Sequence, residues 1–170
     1  MNRRKNAAVA LALVLLLGGC MSDDGINDPL PRMSREKAEE WGRHWVESMV
    51  RTTQGETLPG TLEPHFSECT GKGSETAEDG RFTLQYNGRA TVPRDKQQAA
   101  IRALRDELKT QGFEIVGYRE DTSVDPAYLV DAQHPKDRQF VSAEDLDGNT
   151  FTYVVNTPCL LPPGVEQQRF

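Results

Sequence analysis

An uncharged apolar run, Ala7 to Leu17, follows Arg3, Arg4 and Lys5 and stops at Leu17-Gly18-Gly19-Cys20. It sets how much of the 170-residue chain is left to fold, and in which compartment. At ~1.5 Å per residue the run makes ~17 Å of helix, too short to cross a hydrocarbon core of ~30 Å. A basic start followed by a short apolar stretch predicts an export signal that is removed after use. The domain is then expected to fold without its leader, outside the cytoplasm, where disulfides persist.

The residues before the expected cut, Leu17, Gly18, Gly19 and Cys20, resemble the lipobox of bacterial lipoproteins: an aliphatic residue, two small residues and a cysteine. The resemblance implies that the Cys20 sulfur receives a diacylglyceryl group and that the chain is cut just before it. Two acyl chains make a stable anchor where one is marginal, since each buried methylene contributes ~0.8 kcal/mol. The domain boundaries that follow are 1–19 for the signal peptide, 20–33 for a lipidated tether rich in Asp, Gly, Asn and Pro, and 34–170 for a single folded domain. A cell membrane, reached through the lipid with the domain facing outside the cytoplasm, is the first expected contact.

Loss of Arg3, Arg4 and Lys5 leaves 17 basic against 26 acidic residues, a net charge of −9. Such a surface is a poor match to nucleic acid. Two cysteines then remain, Cys69 and Cys159, and they have a single pairing. A bond across their 90-residue separation is worth ~4–5 kcal/mol in the chain-entropy account, less any strain. The alternative is a reactive or metal-binding pair, but there is no Cys-x-x-Cys spacing and no neighbouring histidine.

Ala38, Trp41, Trp45, Met49 and Val50 recur at helical spacing, predicting an amphipathic helix over 34–52 with Ser34 as its N-cap. Residues 53–80 read as a long irregular connection fastened by Cys69. Phe82, Leu84 and Tyr86 alternate as a strand, and Asn87-Gly88 signals either a hairpin or a bulge within it. A second helix is expected over 94–110. Strands are expected at 113–118, buried on both faces, and at 127–134, 139–146 and 150–156, the last two joined by a tight turn at Asp147-Gly148.

This order predicts an α+β two-layer sandwich, an antiparallel sheet of four to five strands with two helices on one face. The expected core is Trp41, Trp45, Ile101, Leu104, Leu108, Phe82, Leu84, Ile115, Leu129 and Val154. The chain also resembles the small secreted lipoproteins of actinobacteria that have no assigned activity. The lipobox, Gly112-Phe113, Asp147-Gly148 and Thr157-Pro158-Cys159 carry that resemblance. Members often have Trp in place of Phe113 and Ser in place of Thr157. The resemblance implies an envelope location and a paired Cys69 and Cys159, and implies no chemistry.

The residues assemble no catalytic motif, metal set or cofactor loop. Asp145, Asp147, Gly148 and Asn149 fit a hairpin turn better than a calcium loop, because Gly falls at the fourth position and no Glu follows at the twelfth. His44, His65 and His134 lack metal-ligand spacing, and no serine sits in a nucleophile elbow. The expectation is a cell-envelope binding or interaction module, without catalysis, for another protein or an envelope ligand. The alternatives are an envelope hydrolase, which needs a cleft bringing His65 or His134 to an acid, and a lipid or amphiphile carrier, which needs a cavity between sheet and helices.

Overall fold

The computed structural model describes residues 27–170, so the leader and Cys20 lie outside the described residues. Helix α1 spans Arg35–Thr52, and the Ser34 hydroxyl caps it by accepting from the Lys37 N–H at 3.3 Å. A 3-10 turn, Arg94–Lys96, leads into α2, Gln97–Thr110. Gly112 follows α2 with φ +88°, a conformation that ends a helix and favours glycine. None of the described helices is long and apolar enough to cross a membrane.

The strands are β1 (Glu56–Thr57), β2 (Glu63–Glu68), β3 (Phe82–Thr91), β4 (Glu114–Glu120), β5 (Tyr128–Gln133), β6 (Phe140–Asp147) and β7 (Thr150–Asn156). Every pairing is antiparallel. One edge of β3 carries β1 and β2 in succession, and the other leads through β7, β6 and β5 to β4. The class is therefore α+β as expected, but the sheet has seven strands rather than four to five. The two extra strands lie in the stretch read as irregular. Glu63-Pro64-His65-Phe66-Ser67-Glu68 is an edge strand, where proline is tolerated, and its partner β3 supplies the pattern that it lacks.

Along β3, Phe82, Leu84, Tyr86 and Ala90 are buried, as are Phe151, Tyr153 and Val155 of β7, Val141 and Ala143 of β6, and Val130 and Ala132 of β5. Their alternation puts one face of the sheet in the core, beneath Val46 and Met49 of α1 and Ile101, Leu104 and Leu108 of α2. The two helices pack on this face and on each other. Of the expected core, Phe82, Leu84, Ile101, Leu104 and Leu108 are buried. Leu129 and Val154 have the opposite strand parity and line the open face, half-buried. Ile115 sits at a register shift between Ile115 and Gly117, and Val116 is 58% exposed, so β4 is not buried on both faces.

Trp41 and Trp45 are also half-buried and flank the core. The face that α1 buries is Ala38, Gly42, Val46, Met49 and Val50. Small residues there let the helix lie close to β3: a Cβ on Gly42 would stand 2.8 Å from Tyr86 Cβ. Asn87-Gly88 makes neither a hairpin nor a bulge, because β3 runs through it in unbroken register with β7. Gly88 is there for space, since a Cβ would lie 2.5 Å from Val46 Cγ1 and 2.9 Å from Leu62 Cδ2. Asp147-Gly148 does close the β6–β7 hairpin, with Asp147 paired to Thr150.

Cys69 and Cys159 form a disulfide with their Cα atoms 6.0 Å apart, joining the end of β2 to the segment after β7. The two ends of the described chain are fastened together beside it. The Met33 N–H donates to the Leu161 carbonyl at 3.0 Å, and the Leu161 N–H to the Pro31 carbonyl at 2.9 Å. Gln167 accepts from the Leu30 N–H through Oε1 at 2.9 Å and donates through Nε2 to the Asp28 carbonyl at 2.9 Å. Residues 27–33, placed by sequence in the tether, are thus bonded to the tail that ends at Phe170.

Candidate functional site: a groove at the disulfide end

β5 and β6 are joined by a turn over 134–139 that its own backbone closes. The His134 N–H donates to the Gln139 carbonyl at 2.8 Å, and the Arg138 N–H to the His134 carbonyl at 2.9 Å. Arg138 adopts φ +54°, a left-handed conformation that a residue with a Cβ seldom takes. Cross-strand pairs Gln133–Phe140, Phe140–Asn156 and Asn156–Gln85 place this turn at the same end of the sheet as the exit of β7 and the start of β3. The disulfide and the fastened chain ends lie there too.

Between these segments runs a half-open groove of about 780 Å³. The Cys69–Cys159 disulfide and the buried Leu160 line it. Leu30 and Met33 from the entering chain, Trp41 from α1 and Phe170 from the tail give it apolar walls. The exposed Lys136, Asp137 and Arg138 of the β5–β6 turn form a charged rim, and Asp28 lines the groove from the entering chain. The volume is within the usual range for a small-ligand site, ~300–1,000 Å³. An aromatic series ties the wall to the turn: Trp41 to Trp45 at 6.1 Å between centroids, Trp45 to Phe113 at 5.1 Å, and Phe113 to His134 at 5.3 Å.

Rim charge is uneven. The Asp137 carboxylate lies 3.1 Å from His134 Nδ1, whereas Lys136 and Arg138 have no ion-pair partner among the described residues. The tail wall is held from below by a buried ion pair. Asp79 and Arg81 have side chains 0% and 1% exposed and bond each other through both carboxylate oxygens. The Gln168 N–H donates to Asp79 at 3.0 Å, Arg81 donates back to the Gln168 carbonyl, and the Phe170 ring covers the guanidinium at 4.3 Å. The Arg81 guanidinium, with the Gln168 and Arg81 N–H groups, outweighs desolvation and holds the Asp79 carboxyl well below the usual carboxylate range.

The histidines are dispersed. His44 is exposed on α1. His65 Nε2 is 3.8 Å from Glu63 on the exposed edge strand β2. His134 meets an acid, Asp137, but as a turn fastening: the Asp137 N–H also lies on Nδ1, at 3.2 Å. Nε2 faces Gly112, where an added Cβ would lie 3.8 Å from it. The Asp145–Asn149 segment is occupied structurally as well, Asp145 accepting from the Tyr128 N–H at 2.7 Å and Asn149 Oδ1 from the Arg94 N–H at 3.1 Å. No group of three or more His, Cys, Asp or Glu among the described residues could hold a metal.

A second polar cluster lies between α2 and β4. Arg102 binds Glu120 at 2.8–2.9 Å through Nε, Gln98 Nε2 donates to the same carboxylate at 3.0 Å, and the Tyr118 hydroxyl donates to it as well. Arg102, then Tyr118, holds the Glu120 carboxyl down to about 2, while burial, then Glu120, pushes the Tyr118 hydroxyl up to about 12. With its acceptors filled, this cluster clamps the helix to the sheet edge.

The groove could not be assembled from sequence. Leu30 and Met33 sit in a Pro-rich stretch without periodicity, and Phe170 lies 11 residues beyond Cys159. The one available signal is that two short proline-containing stretches, 29–33 (apolar but for Arg32) and 158–162, flank the folded elements. No family model, curated protein or solved structure matches this chain.

Proposed function

We propose that this protein is a bacterial envelope lipoprotein, anchored through Cys20, that works as a binding module through the groove at its disulfide end. The observation that carries the reading is the position of the groove. Its wall includes Asp28 to Pro31 and Met33, so the chain that would lead from the lipid enters the domain at the mouth of the site. From Cys20 to Asp28 the chain can extend at most ~29 Å, which keeps the mouth near the membrane surface. The groove end is then turned toward the bilayer, and the β6–β7 hairpin, at the far end of the strands, away from it.

A hydrolase has less support, because His134 is engaged in its own turn by the Asp137 N–H. A carrier enclosing lipid between sheet and helices has less support too, since Leu104, Leu108, Phe82 and Tyr153 fill that layer at 1% exposure or less. The reading is tested on the membrane fraction of producing cells. The N-terminal peptide should begin at Cys20 and carry a diacylglyceryl mass that the Cys20→Ala variant lacks. A peptide that begins elsewhere, or an unmodified Cys20, would sink it.

A further inference from the structure

We infer that the groove takes a single acyl chain bearing an anionic headgroup, drawn from the adjoining membrane, with the chain against Trp41, Met33 and Phe170 and the headgroup at Lys136 and Arg138. The inference rests on the binding-module reading and names its ligand. Two observations carry it. The first is charge: in a mature chain of net charge −9, the groove's rim turn presents two cations without ion-pair partners among the described residues. The one acid between them, Asp137, is turned to His134 at 3.1 Å. An anion at the rim gains both cations, whereas a cation meets them as like charges.

The second is the state of the backbone along the groove. An extended peptide is recognised by main-chain donors and acceptors, and several of the donors in and beside this groove are already used. The Met33 N–H is bonded to Leu161, the Leu160 N–H to Phe82, the Thr157 N–H to Leu84 and the His134 N–H to Gln139. What the lining offers a ligand is side-chain surface: Leu30, Met33, Trp41, Leu160 and Phe170 are apolar, the two cations sit together on the β5–β6 turn, and one further acid, Asp28, lies on the entering chain. An amphiphile divides its chemistry in the same way. The strained Arg138 backbone, φ +54°, belongs to that rim.

The test uses the full acylated protein in nanodiscs of phosphatidylcholine, with Trp45→Phe so that Trp41 is the sole tryptophan. The probe is monoacyl phosphatidylglycerol, added below its micelle-forming concentration, against monoacyl phosphatidylcholine. The expected result is a saturable blue shift of Trp41 emission, at about tenfold lower concentration for the anionic probe, consistent with one to two charge-assisted contacts. Lys136→Gln with Arg138→Gln should abolish that preference. Because both residues are exposed on the turn, the double variant should keep the parent's thermal midpoint and its response to the zwitterionic probe. No saturable shift, equal response to the two headgroups, or a preference that survives loss of both cations would each overturn the inference. So would a Trp41 response seen only when a partner protein is added. An acylated Cys20 with a silent groove would reject this ligand and leave the anchoring standing; an unmodified Cys20 with a responsive groove would do the reverse.

Discussion

Asp79 and Arg81 show how one buried pair holds the tail against the groove. Taking two charges out of water is costly, and the pair persists because each guanidinium–carboxylate contact is doubled and the Gln168 backbone adds a donor and an acceptor. Removing one member strands the other, so Asp79→Ala is expected to destabilise by ~3–5 kcal/mol, while Asp79→Ala with Arg81→Met recovers much of that loss. Urea unfolding of the two variants checks it; equal midpoints would contradict it. A depressed Asp79 pKa means that its stabilising contribution is complete above the ordinary carboxylate range and is lost as pH falls through the folded value. Gly88 is a second residue with a specific demand. Gly88→Ala drives a methyl group into Val46 and Leu62 and should cost ~1–3 kcal/mol by overpacking. Thermal unfolding should register this, and Val46→Ala in the same chain should relieve part of the loss.

At the scale of elements, the Glu120 cluster ties α2 to the edge strand β4. Its carboxyl is lowered to about 2, so the clamp is fully present above ~4.3, the unfolded value, and is lost as pH falls toward 2. The acid limb of the stability profile should therefore flatten in Glu120→Gln; an unchanged limb between pH 4 and 2 would argue against the clamp. The disulfide acts on another element pair, the end of β2 and the exit of β7. Reduction should lower stability by up to ~4–5 kcal/mol, measured as a drop in urea midpoint that Cys69→Ala with Cys159→Ala reproduces and reductant no longer changes. Elements with local signals were legible: Ser34 capped its helix, and Asp147-Gly148 closed its hairpin. Those defined by a neighbour were not. Strand β2 takes its order from β3, and Gly88 takes its place from the approach of α1, so in sequence each reads as a loop or turn signal. The tryptophan stripe misled for a related reason: Ala38 and Gly42, small and faint in any hydrophobic pattern, mark the face of closest approach.

For the whole molecule, the feature on which the proposed function rests is the meeting of the two ends of the described chain, the disulfide and the β5–β6 turn at one end of the sheet. It was beyond sequence reasoning because it joins residues 28–33 to 157–170, segments with no shared periodicity, through backbone bonds and Gln167. In the proposed function this end faces the membrane. That orientation is tested by attaching a small fluorophore at Lys136, on the rim, or at Asp147, beside the β6–β7 turn, in the full protein on vesicles containing a headgroup-attached quencher. Strong quenching is expected from Lys136 and little from Asp147. Equal quenching at the two positions, or stronger quenching from Asp147, would contradict it.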